Sequence, residues 1–209
     1  MRQLVASPRF IYFDLGNVLV HFDHRRGARQ MAEVAGISEH VVQEIVFEGD
    51  LLMEYERGAI TTQEFYEAFC DRTSTRPDCD LLLLAASDIF ELNESIVPLL
   101  KELRETGHRL GILSNTNEAH WKFIADGRFP MIQEFFERYA LSYEMQAAKP
   151  DLAAYSKAAA IADVAPEEIF FTDDRLDNVE GALAAGFDVV QFVETETLRA
   201  DLRSRHALA

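Results

Sequence analysis

Apolar residues fall along this chain in two rhythms. Five short, nearly continuous apolar runs, at 9–14, 109–114, 138–142, 169–173 and 187–192, have the length and the branched or aromatic content of strands buried on both faces. Apolar positions at helical spacing fill 94–106, 151–162 and 178–185, between several of those runs. Punctuation agrees: Gly107 and Gly186 stand just past helical runs, and Pro150-Asp151 and Pro166-Glu167-Glu168 put proline and acids at helix starts. Strand alternating with helix predicts an α/β fold, a parallel sheet with helices on both faces, and such a sheet binds ligands beyond the carboxyl ends of its strands.

From about Val20 to Asn93 the pattern changes and reads as helical throughout, with amphipathic runs at 25–35, 39–47, 51–57 and 62–71. A chain of 209 residues buries one core with something to spare, so one compact domain carrying one inserted module is expected rather than two independent domains. The predicted division is a core from 1–19 and 93–209 and an inserted helical cap from 20–92. Because the insertion leaves the sheet directly after the first strand's loop, it is expected to arch over the carboxyl edge and cover the pocket. The sequence contains no internal repeat and no low-complexity tract.

Composition narrows the partners. No apolar run approaches the roughly 18 residues that cross a bilayer, the stretch 81–86 being far too short. The first residues, with Arg2 and Arg9 but no apolar segment and cleavage site, do not read as a secretory signal, and a cytoplasmic protein is expected. Cys70 and Cys79 read as two reduced thiols, not a metal site. The formal charge of -16 argues against a nucleic-acid partner, which needs clustered Lys and Arg, and against a membrane surface. An anionic metabolite is still accommodated where a metal ion and a few donors reverse the local field. A monomer or homodimer is expected.

Polar residues ending the predicted strands gather on one edge of the sheet. Asp14 closes the first strand, Ser114 and Asn115 follow the second, Lys149 lies after the third, and Asp173 with Asp174 ends the fourth. A carboxylate nucleophile, a hydroxyl beside an amide, a lysine and a carboxylate pair are the parts needed for phosphoryl transfer to aspartate.

In the segments Phe13-Asp14-Leu15-Gly16-Asn17-Val18, Leu113-Ser114-Asn115-Thr116-Asn117, Lys149-Pro150 and Thr172-Asp173-Asp174 through Asn178, the chain resembles the haloacid dehalogenase-like (HAD) superfamily. The resemblance spans nearly the whole chain and implies a HAD-like, Rossmann-like core with a helical cap. The first two segments look like those of a subgroup of small bacterial phosphatases, some of which act on sugar 1-phosphates such as α-D-glucose 1-phosphate. By resemblance, Asp14 is the nucleophile and a Mg²⁺ ligand, and the Gly16 backbone carbonyl binds the same ion. Asp174 ligates it directly, Asp173 completes the metal set by orienting a bound water, and Asn178 steadies the loop. Ser114 and the backbone amide of Asn115 hold the phosphoryl oxygens, and Lys149 bridges nucleophile and phosphoryl group. The implied substrate is a small phosphorylated metabolite.

One position departs from the family. Most phosphatases of the superfamily carry a second aspartate two residues after the nucleophile, which protonates the leaving oxygen; here that residue is Gly16. General acid and base assistance is worth about 10² to 10⁴ in rate. Its loss matters least for an acidic leaving group, which favours sugar 1-phosphates over 6-phosphates and disfavours a phosphomutase. His21, Asp23 and His24, at the entry to the cap, are candidate substitutes. Arg25, Arg26, Glu48, Glu54 and Glu56 are candidate cap contacts whose inward face the pattern does not determine. Trp121, Phe135 and Phe136 read as core or interface. Two other readings compete. A 2-haloacid dehalogenase would use the same aspartate against carbon without a metal, and a binding or regulatory module would have lost turnover. The Asp173-Asp174 pair speaks against the first, and Asp14, Lys149 and Asp174 together speak against the second.

Overall fold

Strand β1 (Phe10–Phe13) lies at the centre of the sheet in the computed structural model, which describes residues 7–208. Arg2 and the outermost ends of the predicted core lie outside the described residues. The strands that follow are β2 (Val20–Phe22), β3 (Phe90–Leu92), β4 (Leu110–Ser114), β5 (Arg138–Leu141), β6 (Ile169–Asp173) and β7 (Asp188–Gln191). Five of them form a parallel sheet in the order β5-β4-β1-β6-β7. All four residues of β1 are buried, as the run of apolar residues requires, and they alternate between two cores. Ile11 and Phe13 face one hydrophobic cluster; Phe10 and Tyr12 face the other.

The insertion holds α1 (His24–Ala35), α2 (Glu39–Val42), α3 (Leu51–Glu56), α4 (Thr62–Thr73) and α5 (Cys79–Ser87), with a π-helical turn, Gln43–Phe47, continuing α2. These helices pack around their own cluster, which includes Met31, Leu51, Tyr55, Phe69 and Leu82. The remaining helices are α6 (Val97–Glu105), α7 (Glu118–Ile124), α8 (Met131–Phe135), α9 (Ser142–Met145), α10 (Leu152–Ala162), α11 (Leu176–Ala184) and α12 (Thr195–Ser204). Helices α6, α7, α8 and α12 cover the Ile11 face of the sheet, and α10 with α11 covers the Tyr12 face. Helices on both faces of a parallel sheet are the α/β architecture expected from the pattern.

The insertion is not wholly helical, contrary to the sequence expectation. Its two ends pair as an antiparallel ribbon, with Val20 opposite Leu92, His21 opposite Glu91 and Phe22 opposite Phe90. A strand of 3 residues carries too little period to register in a pattern, and its partner stands at the far end of the insertion. Helices α7, α8, α9 and α12 were also not anticipated, and α5, inside the stretch read as helical, was not picked out as a run of its own. In α5 the apolar run leaves Leu81 and Leu84 exposed while Leu82, Ala85 and Ala86 are buried, so its periodicity is blurred. Trp121 is half-buried against Tyr139, and Phe135 and Phe136 belong to the core. Cys70 and Cys79 are free thiols. No helix among the described residues is long and apolar enough to cross a membrane.

Candidate active site

Parallel register brings the strand-end polar residues together. Phe13 pairs with Ile112 of β4 on one side and with Thr172 of β6 on the other, so Asp14 emerges at the same edge as Ser114 and Asp173. Lys149, in the loop before α10, reaches back under that edge and is only 4% exposed. Its Nζ donates to Asp14 Oδ1 at 2.8 Å, to Asp173 Oδ2 at 2.6 Å and to the Leu113 carbonyl at 2.9 Å. Burial alone lowers the affinity of Lys149 for its proton, but the Asp14 and Asp173 carboxylates more than offset it and hold its pKa above the usual lysine value. Asn115 locks the loop in place: its side chain donates to the Lys149 carbonyl and accepts from the Lys149 N–H, both at 2.8 Å.

The two neighbouring acids have different surroundings, because successive residues leaving a strand face opposite ways. Asp173 is 0% exposed and does not line the cavity described below. Besides Lys149 it accepts from Asn178 Nδ2 at 3.0 and 3.1 Å and from the Arg175 N–H at 2.9 Å. Asn178 is held in turn by Tyr155, whose hydroxyl donates to its carbonyl at 2.7 Å. Asp174 faces the cavity, with one oxygen accepting from Asn17 Nδ2 at 3.0 Å. Asn17 itself has φ 55°, a left-handed conformation that asparagine tolerates, and the Gly16-Asn17 dipeptide is the turn signal that would have marked it.

One ligand atom each from Asp14, Asp173 and Asp174 lies within 4.8 Å of the others. Gly16 is bracketed by two backbone bonds, Val20 N–H to the Leu15 carbonyl at 2.9 Å and Asn17 N–H to the Val20 carbonyl at 2.7 Å. Its own carbonyl has no hydrogen-bond partner among the described residues. Hard oxygen donors with surplus negative charge fit Mg²⁺. Burial, with the Asp173 charge adding to it against the pull of Lys149, raises Asp14 to about 7, a cost that a cation among these oxygens would relieve.

A family model for haloacid dehalogenase-like hydrolases matches residues 9–186. The chain belongs to that family. It is similar to a HAD family enzyme of Bacteroides thetaiotaomicron solved in complex with magnesium and inorganic phosphate, at 26% identity and a TM-score of 0.78, covering 88% of this chain and 93% of that one. Two further structures share the fold. A predicted HAD-like hydrolase of Porphyromonas gingivalis has 24% identity and a TM-score of 0.77, covering 95% of this chain and 99% of that one. The L-2-haloacid dehalogenase of Xanthobacter autotrophicus has 20% identity and a TM-score of 0.63, covering 94% and 83%. Among curated proteins, drimenol cyclase drtB of Aspergillus calidoustus is 24% identical over 198 residues, 93% of this chain. The chain spans only 36% of the length of that relative.

In this hydrolase Asp14, Gly16, Ser114, Asn115, Lys149 and Asp174 all line one cavity of about 300 Å³. The insertion supplies part of its wall through Phe22, His24, Glu56 and Phe90. Phe22 stands where a side chain at position 16 would start, since a Cβ on Gly16 would lie 2.8 Å from its ring. The His24 ring packs beside Phe22, 4.8 Å between centroids, and Phe47, 5.0 Å, and burial lowers its pKa. Of the other candidate substitutes, His21 and Asp23 are exposed and do not line the cavity; Asp23 caps α1 by accepting from the Arg25 and Arg26 N–H groups. Arg26 pairs with Asp88 and Glu91, and Arg25, Glu48 and Glu54 also stand outside the cavity lining. Glu56 does line it, and so do His120 and Arg175, which the sequence reading did not single out.

Magnesium at a hundredfold excess over its dissociation constant should stabilise the fold by about 2.7 kcal/mol. For a chain of this size that is a rise in melting temperature of roughly 5–10 °C. Differential scanning fluorimetry of wild type and Asp174→Asn checks it: the rise should largely vanish in the variant, and no rise in wild type would remove the cation from this site.

Proposed function

We propose that this hydrolase is a magnesium-dependent phosphatase that cleaves a small phosphorylated metabolite, a sugar 1-phosphate, through an aspartyl-phosphate on Asp14. The observation that carries the proposal is Lys149 clamped between Asp14 and Asp173 beside a third carboxylate, which sets a nucleophile next to its countercharge and a cation-binding cluster. The Asp14 carboxylate attacks phosphorus, the ester oxygen departs, and water then releases phosphate from Asp14. Lys149 keeps its proton throughout and neutralises charge on the nucleophile and phosphoryl oxygens. The Ser114 hydroxyl and Asn115 N–H hold those oxygens. Asp14, Asp174 and the Gly16 carbonyl would hold the ion, with Asp173 acting through a water and Asn178 fixing Asp173. When bound, magnesium supplies positive charge to the phosphoryl oxygens.

In this reading residues 1–19 and 93–209 carry the chemistry, and 20–92 form the cap that shapes the leaving-group side. The enzyme works in the cytoplasm as a monomer or homodimer, without a nucleic-acid or membrane partner. A cluster of three carboxylates favours phosphoryl transfer over dehalogenation, whose attack on carbon uses no cation. A sugar 1-phosphate is favoured because the nucleophile loop carries no acid at Gly16 and an anomeric oxygen leaves more readily than a primary one. Phosphate release from matched sugar 1-phosphates and 6-phosphates, with and without magnesium, is the test. Turnover should require the metal and favour the 1-phosphate by at least about tenfold, a barrier difference of about 1.4 kcal/mol. Equal rates would overturn the substrate class, and failure on every ester would overturn the phosphatase.

A further inference from the structure

An alkoxide is a poor leaving group, and its departure is helped by a proton donor within reach of the ester oxygen. Most titratable groups around the cavity are committed elsewhere. Lys149 spends its N–H groups on Asp14, Asp173 and the Leu113 carbonyl. His120 has both ring nitrogens engaged, Nδ1 with Asn117 Nδ2 at 3.1 Å and Nε2 with the Ala86 carbonyl at 3.2 Å, and burial lowers its pKa to about 4. His24 lies beside two phenylalanine rings with its pKa also lowered by burial, and Arg175 keeps its charge. Asp14 and Asp174 belong to the nucleophile and cation cluster.

Glu56 is left, at the C-terminal end of α3, and the structure holds its backbone firmly against the core. The preceding residue, Tyr55, accepts the Ala119 N–H on its hydroxyl at 3.0 Å and bonds Thr62 Oγ1 at 2.7 Å; Thr62 in turn donates to Glu118. The Glu56 carbonyl itself accepts from Ser142 Oγ at 2.5 Å. Arg57 reaches Asp151 at 3.5 Å. Gly58, at φ 66°, passes so close to Tyr143 that a Cβ would fall 2.2 Å from its carbonyl oxygen, which only glycine permits. With the backbone fixed on both sides, Glu56 lines the same cavity as Asp14. Its carboxyl group has no hydrogen bond or ion pair among the described residues.

We propose that Glu56 is the general acid and base of this hydrolase, brought to the active site by the insertion instead of by the nucleophile loop. The inference rests on the phosphatase reading and not on the 1-phosphate preference, whose leaving-group argument a proton from Glu56 would weaken. As Asp14 forms its bond to phosphorus and the bond from phosphorus to the leaving oxygen breaks, the Glu56 carboxyl gives its proton to that oxygen. The Glu56 carboxylate then takes a proton from water as the water oxygen attacks phosphorus and the bond to Asp14 breaks. Phosphate leaves, and both Asp14 and Glu56 return to their starting forms. Burial raises Glu56 to about 7 against the pull of Arg175, so the group can both give and take a proton near neutrality. The other charged or titratable groups lining the cavity are His24 from α1, His120 from α7, and Asp14, Lys149 and Asp174 from the strand-end loops.

The test compares wild type, Asp14→Asn, Glu56→Gln and Glu56→Asp with magnesium on a sugar 6-phosphate, the matching 1-phosphate and p-nitrophenyl phosphate. Metal-dependent turnover by wild type, lost in Asp14→Asn, establishes the reaction independently of Glu56. Glu56→Gln should then lose about 10² to 10⁴ in kcat/KM on the 6-phosphate, and less on the 1-phosphate. On the aryl ester, whose leaving group needs no proton, it should release one equivalent of p-nitrophenol in a burst and then stall as phosphoenzyme. The fall of wild-type kcat/KM above about pH 7 on the 6-phosphate should disappear in the variant. Glu56→Asp should recover part of the rate and gives the same substrate comparison should the glutamine variant not fold. Unchanged rates in Glu56→Gln, or an equal loss of kcat/KM on all three esters without a burst, would overturn the assignment. A wild type inert on all three would instead overturn the phosphatase reading and the proposal with it.

Discussion

Replacing Asp14 by asparagine should abolish metal-dependent phosphate release and yet make the metal-free protein more resistant to heat at pH 8. The rate loss follows from removing the proposed covalent nucleophile, a change which in another hydrolase costs on the order of 10⁶ in kcat. The stability gain follows from the cost of keeping the wild-type carboxylate charged. Burial raises the Asp14 pKa to about 7, the Asp173 charge adding and Lys149 opposing, so the folded state disfavours the ionised form relative to the unfolded chain. Stability tied to a raised pKa is fully present below the unfolded value, near 4 for an aspartate, and is lost as pH rises through about 7. Asparagine has nothing to ionise, so its advantage should be greatest above pH 7 and fade toward pH 4. Lys149 keeps Asp173 as its partner at 2.6 Å, so the substitution does not strand a lysine. Magnesium should reverse the order, because it stabilises the wild-type cluster and has lost one of its carboxylates in the variant. Thermal melts at pH 4 and pH 8, with and without magnesium, check all four corners. A variant less stable than wild type at pH 8 without metal would mean that the Lys149 bond outweighs the burial of the charge.

The parts of this site visible in the sequence are those that strands deliver. A strand buried on both faces must be almost wholly apolar, so Phe10–Phe13 and Ile169–Asp173 stood out, and the carboxylate ending each run was conspicuous because the rest of the run forbids charge. Parallel register then places Asp14, Ser114 and Asp173 at one edge without further information. What the insertion delivers was not visible. Glu48, Glu54 and Glu56 are alike in sequence, and only Glu56 lines the cavity, because the segment carrying it is fixed to the core by the Tyr55–Ala119 and Ser142–Glu56 bonds. Those partners are far away in the chain and carry no local signature. Phe22 was hidden for a related reason. It sits in a strand whose pairing with Phe90 crosses the whole insertion, and that pairing is what sets its ring over Gly16. The spelling at Gly16 showed that an acid was missing, but only the tertiary structure shows what fills the space.

Substituting Lys149 with methionine should be the most destabilising single change at this site and should also eliminate turnover. The methionine keeps the apolar length of the stem but removes the only cation contacting the Asp14 and Asp173 carboxylates among the described residues. Breaking a buried ion pair by deleting one partner costs about 3–5 kcal/mol, because the remaining charge is left without compensation. At this chain length that is a fall in melting temperature on the order of 10 °C. The loss should depend on pH in a direction the geometry fixes. Lys149 pulls the Asp14 pKa down, so without it that pKa rises beyond about 7 and the folded protein takes up a proton there. Protonation removes the uncompensated charge, so the variant should be least stable relative to wild type at alkaline pH and should recover as pH falls. Arginine should not rescue, because the buried slot beneath Leu113 and Phe171 fits a compact ammonium, with Nζ 2.9 Å from the Leu113 carbonyl and 5.2 Å from the Phe171 ring centre, and not a planar guanidinium. Urea titrations at pH 5 and pH 8 separate this from simple loss of packing. A pure packing defect would lower stability equally at both, whereas loss of the countercharge makes the deficit at pH 8 the larger one.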